Sequence, residues 1–181
     1  MPNANFWADS NSLPKRGFRF LVQITIGNED LSYMAKSIDR PSYTVTSTPH
    51  KFFNHTFHYP GRVEWSTITF TLVDALNPNG SAALTRYLDS IGWVTPLRAA
   101  QGVNNTEGTQ LTDSSITKKS ATDATGNIVI QEINGDGAVA GSWTLKNAFI
   151  TEANFGQQSY DSEDLLEISL TLQYDWAEYS A

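Results

Sequence analysis

The stretch 52–74 alternates along most of its length, and this alternation restricts it to β-strands. In its second half, apolar Ile68, Phe70 and Leu72 alternate with Thr67, Thr69 and Thr71. Because successive side chains of a strand point to opposite faces, this half predicts a strand with an apolar side and a hydroxyl side. In the first half, both faces of the predicted strand carry ring side chains. One face has Phe53, His55, Phe57 and Tyr59, and the other has Phe52, Asn54, Thr56 and His58.

Length and composition indicate a single domain, 1–181, without a membrane span. A chain of 181 residues can bury roughly 70% of its unfolded surface. No segment approaches the roughly 20 consecutive apolar residues that a membrane helix needs. We expect no secretory leader, since residues 1–13 lack an apolar core. The chain has no Cys, which excludes disulfides and thiolate sites.

The charge of the chain is negative and unevenly distributed. A net charge of −7 argues against general nucleic-acid binding, which uses a basic surface. Residues 1–62 carry seven Lys or Arg and four Asp or Glu, whereas 63–181 carry five and fifteen. Two interpretations are open: a solvated acidic surface, or a basic early part of one copy that meets the acidic late part of another.

The first third of the chain predicts strands and two projecting segments. Residues 1–16 are predicted to form an irregular arm, whose Phe6 and Trp7 belong either to a satellite core or to a hook on a neighbour. Alternation over 17–27 predicts one strand, and a short strand is expected over 33–38. Residues 42–60 have strong β propensity but little apolar content, which predicts a projecting loop or hairpin. Such an exposed ribbon would aggregate unless it pairs with another copy.

The remaining two-thirds predict one helix, a long loop and further strands. The helix spans 81–91, with Ser81 as its N-cap and an apolar stripe of Leu84, Tyr87, Leu88 and Ile91. Residues 99–127 are predicted to form a long polar loop with at most short structured pieces. Strands follow at 127–133, 142–153 and 165–176. The whole pattern predicts a mainly β fold, an antiparallel β-sandwich or partly open β-barrel with one short α-helix.

The last predicted strand, 165–176, is the most clearly amphipathic. Its apolar side carries Leu166, Ile168, Leu170, Leu172, Tyr174 and Trp176. Its polar side carries Glu167, Ser169, Thr171, Gln173 and Asp175.

Residue patterns typical of catalysis, metals or cofactors are weak or missing in the sequence. His55 and His58 differ in parity, and an extended chain would hold His50 and His58 roughly 26 Å apart. No Gly-x-Ser-x-Gly elbow or phosphate loop occurs. Asp161, Glu163 and Asp164 could in principle serve glycoside hydrolysis, but on a polar turn they are expected to be solvated. We therefore predict no catalytic, cofactor or metal residues.

Two blocks of sequence carry a resemblance to a known family. The first is 53–62 with Trp65 and 68–74; the second is 143–150, Phe155-Gly156, 167–172 and Tyr174-Asp175-Trp176. In this order they resemble the tail tube protein of contractile-tailed bacteriophages. The resemblance implies hexameric rings, stacked into a hollow tube inside a contractile sheath, with strands of neighbouring copies joined in one inner barrel.

The resemblance also implies partners and a location. The partners are further copies of the chain and the sheath, tape-measure, baseplate and tail terminator proteins, with no membrane and no cofactor. DNA would pass through the lumen without sequence-specific binding. The protein would be assembled in the host bacterial cytoplasm and reside in the virion tail.

Candidate residues follow from this assignment. The ring-interface candidates are Phe6, Trp7, Tyr43, Val45, Phe52, Phe53, His55, Phe57, Tyr59 and Arg62. The lumen candidates are Thr67, Thr69, Thr71, Glu167, Ser169, Thr171 and Gln173. An acidic, hydroxylated channel would keep DNA from adhering, because like charges repel.

Two alternatives remain open from the sequence. The same fold serves the inner tubes of type VI-like secretion systems and extracellular contractile injection systems. A different class is a monomeric carbohydrate-binding β-sandwich module, in which exposed aromatic rings stack on sugars.

Overall fold

The computed structural model describes residues 14–26, 29–93, 115–161 and 163–181. Strands in these ranges are β1 (Phe20–Gln23), β2 (Thr25–Ile26), β3 (Glu29–Asp30), β4 (Ala35–Ile38), β5 (Tyr43–Phe52), β6 (His55–Trp65), β7 (Ile68–Val73), β8 (Ile128–Ile133), β9 (Val139–Lys146), β10 (Phe149–Asn154), β11 (Glu167–Gln173) and β12 (Trp176–Ser180). Helices are α1 (Gly80–Ser90) and α2 (Lys118–Thr125), with a 3₁₀ turn at Ser32–Met34. Phe6 and Trp7 lie outside the described residues.

The domain is a sandwich of two four-stranded antiparallel sheets. Sheet I has the order β1-β8-β9-β12, and sheet II has the order β10-β11-β7-β4. The two sheets contribute to one apolar core, which holds Val22, Ile128, Ile130 and Leu145 from sheet I and Ile68, Phe70, Leu72, Ile168, Leu170 and Leu172 from sheet II. The predicted mainly β, antiparallel fold is confirmed.

Sheet II has one apolar and one polar face, as its alternation predicts. Leu170 lies opposite Phe70, and Thr171 lies opposite Thr69. The apolar side chains of β7 and β11 are fully buried, whereas those of the alternate residues are exposed or half-buried. Alternation sets the two faces because one face is packed against a core.

Three predicted strands are interrupted. The strand predicted over 17–27 breaks at Ile24, whose carbonyl accepts a hydrogen bond from Leu31 N and whose N–H donates to Ser32 Oγ. The strand predicted over 142–153 breaks at Asn147, which has a left-handed φ of 55°. The strand predicted over 165–176 ends at Gln173, because the chain then crosses to sheet I and Trp176 pairs with Lys146.

These interruptions change the surroundings of several aromatic side chains. Phe18 precedes β1 and is 74% exposed, although the alternation over 17–27 predicted that it belongs to the strand. Trp176 is also partly exposed, because it belongs to β12 rather than to the apolar side of β11. Of the predicted strand at 33–38, the first two residues belong to the 3₁₀ turn and the last four form β4.

The first helix, α1, begins with a different N-cap from the predicted one, and the described residues contain two helices where one was predicted. Asn79 caps α1, accepting a hydrogen bond from Ala82 N at 2.8 Å. Ser81, the predicted cap, instead donates to Asp74 Oδ2 at 2.6 Å. Leu88, a member of the predicted stripe, is exposed.

A second helix, α2, lies within the segment 99–127, which was predicted to form a long loop with at most short structured pieces. The helix occupies residues 118–125 of that segment. Thr117 and Ser120 form a capping box at its start, a signal present in the sequence but too short to stand out. Ser120 Oγ also donates to the carbonyl of Ile91, which fixes α2 against the end of α1. Residues 99–114 of the predicted loop lie outside the described ranges.

Candidate assembly surfaces

A projecting hairpin, β5-β6, stands where a loop or hairpin was predicted over 42–60, and it continues to Trp65. Within the described part of the chain, its strands pair only with each other, as a separate two-stranded sheet. All of its strand residues are exposed except Trp65, which is half-buried. A two-stranded ribbon without an apolar face packed on a core is marginal alone, so this hairpin is suited to a partner.

The hairpin turn places four aromatic side chains at its end. The chain reverses at Phe53-Asn54, with Phe53 at a φ of 53°. Phe52 therefore lies opposite His55, on the face that also carries Phe57 and Tyr59. The predicted opposition between the faces of Phe52 and His55 is wrong, because it assumed one straight strand. We call Phe52, Phe53, Phe57 and Tyr59 the tip patch; all four are exposed.

A β-bulge interrupts the hairpin at mid-length. Thr46 alone faces both Gly61 and Arg62, since Val45 pairs with Val63 but Ser47 pairs with Pro60. Thr46 Oγ1 accepts a hydrogen bond from Arg62 N at 2.9 Å. Pro60-Gly61-Arg62 is thus a bulge inside a strand, where Pro and Gly are tolerated.

The bulge moves the apolar residues to the other side of the ribbon. Near the domain, Tyr43, Val45, Val63 and Trp65 share one face, which we call the base patch. The unbulged strand β5 keeps strict alternation, so Ser47, and with it Pro60, remains on the face of Val45. Tyr59 and Phe57 therefore lie on the opposite face from the base patch.

The base patch continues the apolar core outwards. The Trp65 ring lies 5.3 Å from Tyr43 and 5.9 Å from buried Tyr174, centroid to centroid. Ser66 N donates to Ser42 O at 2.9 Å, which closes the root of the hairpin. The root is thereby anchored on its own domain, whereas the tip patch is exposed to solvent.

An ionic cluster around Glu132 also holds the root. Arg40, three residues before β5, contacts Glu132 Oε1 at 2.7 Å, while Lys15 and Tyr179 bond to Oε2. The Glu132 side chain is only 13% exposed. Burial alone would raise the pKa of its carboxyl, but hydrogen bonds from Lys15 and Tyr179 and the charge of Arg40 hold it below its ordinary value.

The polar face of sheet II brings most of the predicted lumen residues together. Ser169 lies opposite Thr71 and Thr171 opposite Thr69, while Glu167 and Gln173 occupy the two ends of β11. Thr67 precedes β7. The sequence analysis missed Lys36, which reaches across β7 to bond Glu167, and Glu152 and Asn154, which β10 adds opposite Thr171 and Ser169.

The histidines are brought near one another only as parts of the hairpin. His50 pairs with Phe57 and His58 with Pro49, so these two rings lie on opposite faces. The separation of roughly 26 Å expected for an extended chain does not apply, because the chain reverses at Phe53-Asn54. Among the described residues no group of three His, Asp or Glu side chains could hold a metal ion, and no described helix is long and apolar enough to cross a membrane.

Comparison with known proteins places this fold. No protein-family model and no curated protein matches the sequence. Among solved structures, a chain of the anti-feeding prophage baseplate matches with a TM-score of 0.60 at 18% identity, covering 93% of this chain and 97% of its own. A chain of the sheath/tube terminator of PVC, an extracellular contractile injection system, gives a TM-score of 0.61 at 17% identity, covering 95% and 100%.

A chain of the PVC sheath–tube complex in the extended state agrees, with a TM-score of 0.57 at 21% identity and 94% coverage of both chains. This chain therefore shares its fold with chains of the anti-feeding prophage and of the PVC extracellular contractile injection system. The fold expected from the resemblance to tail tube proteins is confirmed.

Proposed function

We propose that this chain is a structural subunit of a phage tail tube, assembling into stacked hexameric rings that form the channel for DNA delivery inside a contractile sheath. One observation carries the proposal: a lone copy exposes a hairpin with four aromatic rings at its end and two open edges of sheet II. Such features are aggregation hazards in a monomer and are removed when copies pair.

Lateral assembly follows from the strand directions of sheet II. Every neighbouring pair in the order β10-β11-β7-β4 is antiparallel. The two edge strands, β4 and β10, consequently run in opposite directions. The β4 edge of one copy can therefore pair antiparallel with the β10 edge of the next, and repetition of this contact gives a closed barrel without edges.

Axial stacking is assigned to the hairpin. Burial of one large apolar side chain contributes roughly 1.5–3 kcal/mol, so even part of the tip patch could hold one ring on the next. The root is fixed by the Trp65–Tyr174 contact and the Glu132 cluster. The hairpin therefore reaches the neighbouring ring in a defined direction, which limits the entropy lost on association.

The polar face of sheet II is proposed to line the channel. The apolar face of the sheet is buried in the core, and the other face carries hydroxyl, carboxamide and carboxylate groups. Such a surface binds neither apolar segments nor phosphates strongly. If Ser169→Cys in assembled tubes reacts with a small maleimide but not with a bulky polymer-linked one, while exposed Asp136→Cys reacts with both, the assignment holds. Equal labelling of both positions would contradict it.

The proposed partners are further copies of the chain, together with the sheath, tape-measure, baseplate and tail terminator proteins. The proposed location is the virion tail, after assembly in the host cytoplasm. No catalytic role is proposed, and Asp161 and Glu163 are exposed loop residues.

An inner tube of an extracellular or type VI-like injection system is the second candidate. The similarity to chains of the anti-feeding prophage and PVC particles favours it. Imaging of intact particles separates the two candidates, since a DNA-filled head identifies a phage and headless particles identify an injection system. A monodisperse monomer that binds glycans would instead support the carbohydrate-binding alternative.

Negative-stain imaging of matched variants tests the role of the hairpin. We expect the wild type to form tubes and the double variant Phe57→Ser, Tyr59→Ser to form rings that no longer stack. Lys51→Ser, on the opposite face of the same hairpin, is the control and should form tubes. Normal tubes from the double variant would remove the tip patch from stacking.

A further inference from the structure

The hairpin and the connection from β10 to β11 lie at opposite ends of sheet II. The hairpin joins the end of β4 to the start of β7, where Ile68 pairs with Leu172 at the end of β11. The connection from β10 enters β11 at its other end, where Glu167 pairs with Val73. The two segments therefore leave the domain from opposite ends of the same strands.

The β10–β11 connection presents both apolar and acidic groups to solvent. We call its residues 155–161 and 163–165 the acidic loop. Tyr160 is fully exposed and Leu165 is 72% exposed. Asp161 and Glu163, which lie between them in the sequence, are exposed as well. Exposed apolar side chains rimmed by polar ones are typical of interaction surfaces, so the loop is suited to a partner that offers rings and hydrogen-bond donors.

The tip patch of the hairpin has this complementary chemistry. The face that carries Phe52, Phe57 and Tyr59 also carries His50 and His55. Aromatic rings pack well on other rings and on apolar side chains, and each imidazole has at least one N–H that can donate to a carboxylate. The hairpin thus offers what the acidic loop lacks.

The two segments also differ in the sign of their charge. Residues 43–65, which form the hairpin, include two Lys or Arg and one Asp or Glu, a net charge of +1. The connection 155–166 includes three Asp or Glu and no Lys or Arg, a net charge of −3. Opposite charge favours the association of two surfaces and selects against wrong partners.

Stacking of rings brings the two ends of the domain together. The strands of a closed barrel run at roughly 35–45° to its axis, so the two ends of sheet II lie on the two opposite faces of a ring. In a stack whose rings all point the same way, the hairpin face of one ring meets the acidic-loop face of the next. Strand β5 has ten residues and spans roughly 33 Å, which is enough for the tip patch to cross the junction between rings.

We propose that the tip patch of one copy docks on the acidic loop of a copy in the next ring. The rings of the patch cover Tyr160 and Leu165, and the neighbouring imidazoles donate hydrogen bonds to Asp161 and Glu163. This inference rests on the proposed stacking of rings and adds the surface that receives the hairpin. The contact is heterologous, because hairpin and loop are different surfaces, and a heterologous contact that does not close on itself extends into a filament. It also gives the uneven charge of the chain a role, since a basic early segment of one copy meets an acidic late segment of another.

Disulfide trapping tests this contact, because the chain has no Cys of its own. Asn54→Cys places a thiol at the hairpin turn, and Gln158→Cys places one on the acidic loop. The two single-Cys proteins, one of them enlarged by a tag so that the mixed product is recognised by its mass, are combined under assembling conditions and oxidised. We expect a mixed disulfide-linked dimer. Tubes that lack the Asn54–Gln158 product would overturn the proposal.

Asn54→Cys mixed with Asp136→Cys is the matched control and should give no mixed product. Asp136 lies in the turn after β8, close to Glu132, which contacts Arg40 at the hairpin end of the domain. The Asp136 position is therefore on the ring face that points away from the incoming hairpin.

Variants of the loop itself provide a second measurement. We expect the double variant Tyr160→Ser, Leu165→Ser to form rings that no longer stack, because the rings of the tip patch lose the apolar surface that they cover. Ile116→Ser removes an apolar side chain that is also exposed, at 57%, and should form tubes in negative-stain images. Normal tubes from the double variant would contradict the proposal.

Charge reversal tests the polar part of the contact. We expect Asp161→Lys to lower the yield of the trapped Asn54–Gln158 product on the order of tenfold. Asp123→Lys, which reverses an exposed carboxylate on α2, should leave the yield unchanged. Equal yields from the two reversals would contradict docking of the hairpin on the carboxylates of the loop.

Imaging of the wild type in the same experiment separates this inference from the proposed function. Tubes without the Asn54–Gln158 product refute the loop contact alone. A wild type that forms neither rings nor tubes refutes the proposed function, and the loop contact with it.

Discussion

Thr46 and Gly61 face each other across the hairpin so closely that no side chain fits at position 61. A Cβ built on Gly61 would lie 2.4 Å from Thr46 Oγ1, well inside van der Waals contact. The Thr46 hydroxyl uses this space to bond Arg62 N. The pair fixes the bulge, and the bulge determines that the base patch and the tip patch lie on opposite sides of the ribbon.

Gly61→Ala should therefore impair assembly without unfolding the domain. The added methyl group must displace Thr46 and the bulge, while the sandwich core does not include the hairpin. We expect an unchanged thermal unfolding midpoint and a loss of tubes in negative-stain images. Gly17→Ala is the matched control, because nothing lies within 4 Å of a Cβ built there. Normal tubes from Gly61→Ala would show that the bulge has no part in assembly.

The Glu132 cluster predicts a pH dependence of stability. Because the pKa of Glu132 is lowered in the folded protein, its stabilising effect is present above the ordinary carboxyl pKa and is lost as the pH falls through the folded value. At pH 7 we expect Glu132→Gln to lower the free energy of unfolding by roughly 1–2 kcal/mol.

Urea denaturation at several pH values measures this difference. The difference in the free energy of unfolding between the wild type and Glu132→Gln should become smaller as the pH falls below about 4.5, which is near the ordinary pKa of a Glu carboxyl. Glu64→Gln, on the exposed hairpin, should have little effect at any pH. A gap that widens on acidification would contradict the assignment.

Sheet II predicts opposite outcomes for neighbouring residues of one strand. Leu170 is fully buried opposite Phe70, so Leu170→Ala should cost about 2–5 kcal/mol of folding free energy. Ser169, on the polar face, should tolerate Ala within about 0.5 kcal/mol. Denaturant titration of the two single variants measures both. Similar losses for the two would mean that the polar face is packed against another surface in the isolated protein.

Lateral joining of sheet edges predicts a specific crosslink. Ser37→Cys and Asn154→Cys, prepared as separate proteins and mixed, should give a disulfide-linked dimer under assembling conditions. In a protein that carries both substitutions, the product should be a ladder of covalent oligomers up to the ring. Ser37→Cys mixed with Asp136→Cys should remain monomeric. Failure of the Ser37–Asn154 link in intact rings would mean that other strands form the lateral contact.

Local alternation was sufficient to predict the two faces of sheet II, while strong β propensity with little apolar content predicted a projecting loop or hairpin over 42–60. Ile68, Phe70 and Leu72 are buried as their alternation predicts. In a strand with one face packed on a core, burial of every second side chain stabilises the fold. Alternation also continued through Gln173 to Trp176, where the chain leaves the sheet, and nothing in the residue pattern marks that crossing. Strand pairing partners, not local preference, decide where such a strand ends.

The errors at the hairpin and at α2 have different physical causes. The turn at Phe53-Asn54 carries neither Gly nor Pro, so the aromatic run was assigned to one straight strand, whereas Pro60-Gly61 lies inside a strand as a bulge. Helix α2 is short and polar, and its stability comes from tertiary contacts such as that of Ser120 with Ile91. The sequence thus named individual candidate residues, but their grouping into patches depends on turns and long-range pairing.

Because β4 and β10 run in opposite directions, strand pairing alone does not determine how many copies the proposed ring contains. With an even number of alternating strands per copy, any count of subunits closes without a parallel seam. In the proposed ring, the curvature at each junction would then fix the number of subunits, so a change in the tilt between two copies would alter the width of the channel while every strand pairing stays the same.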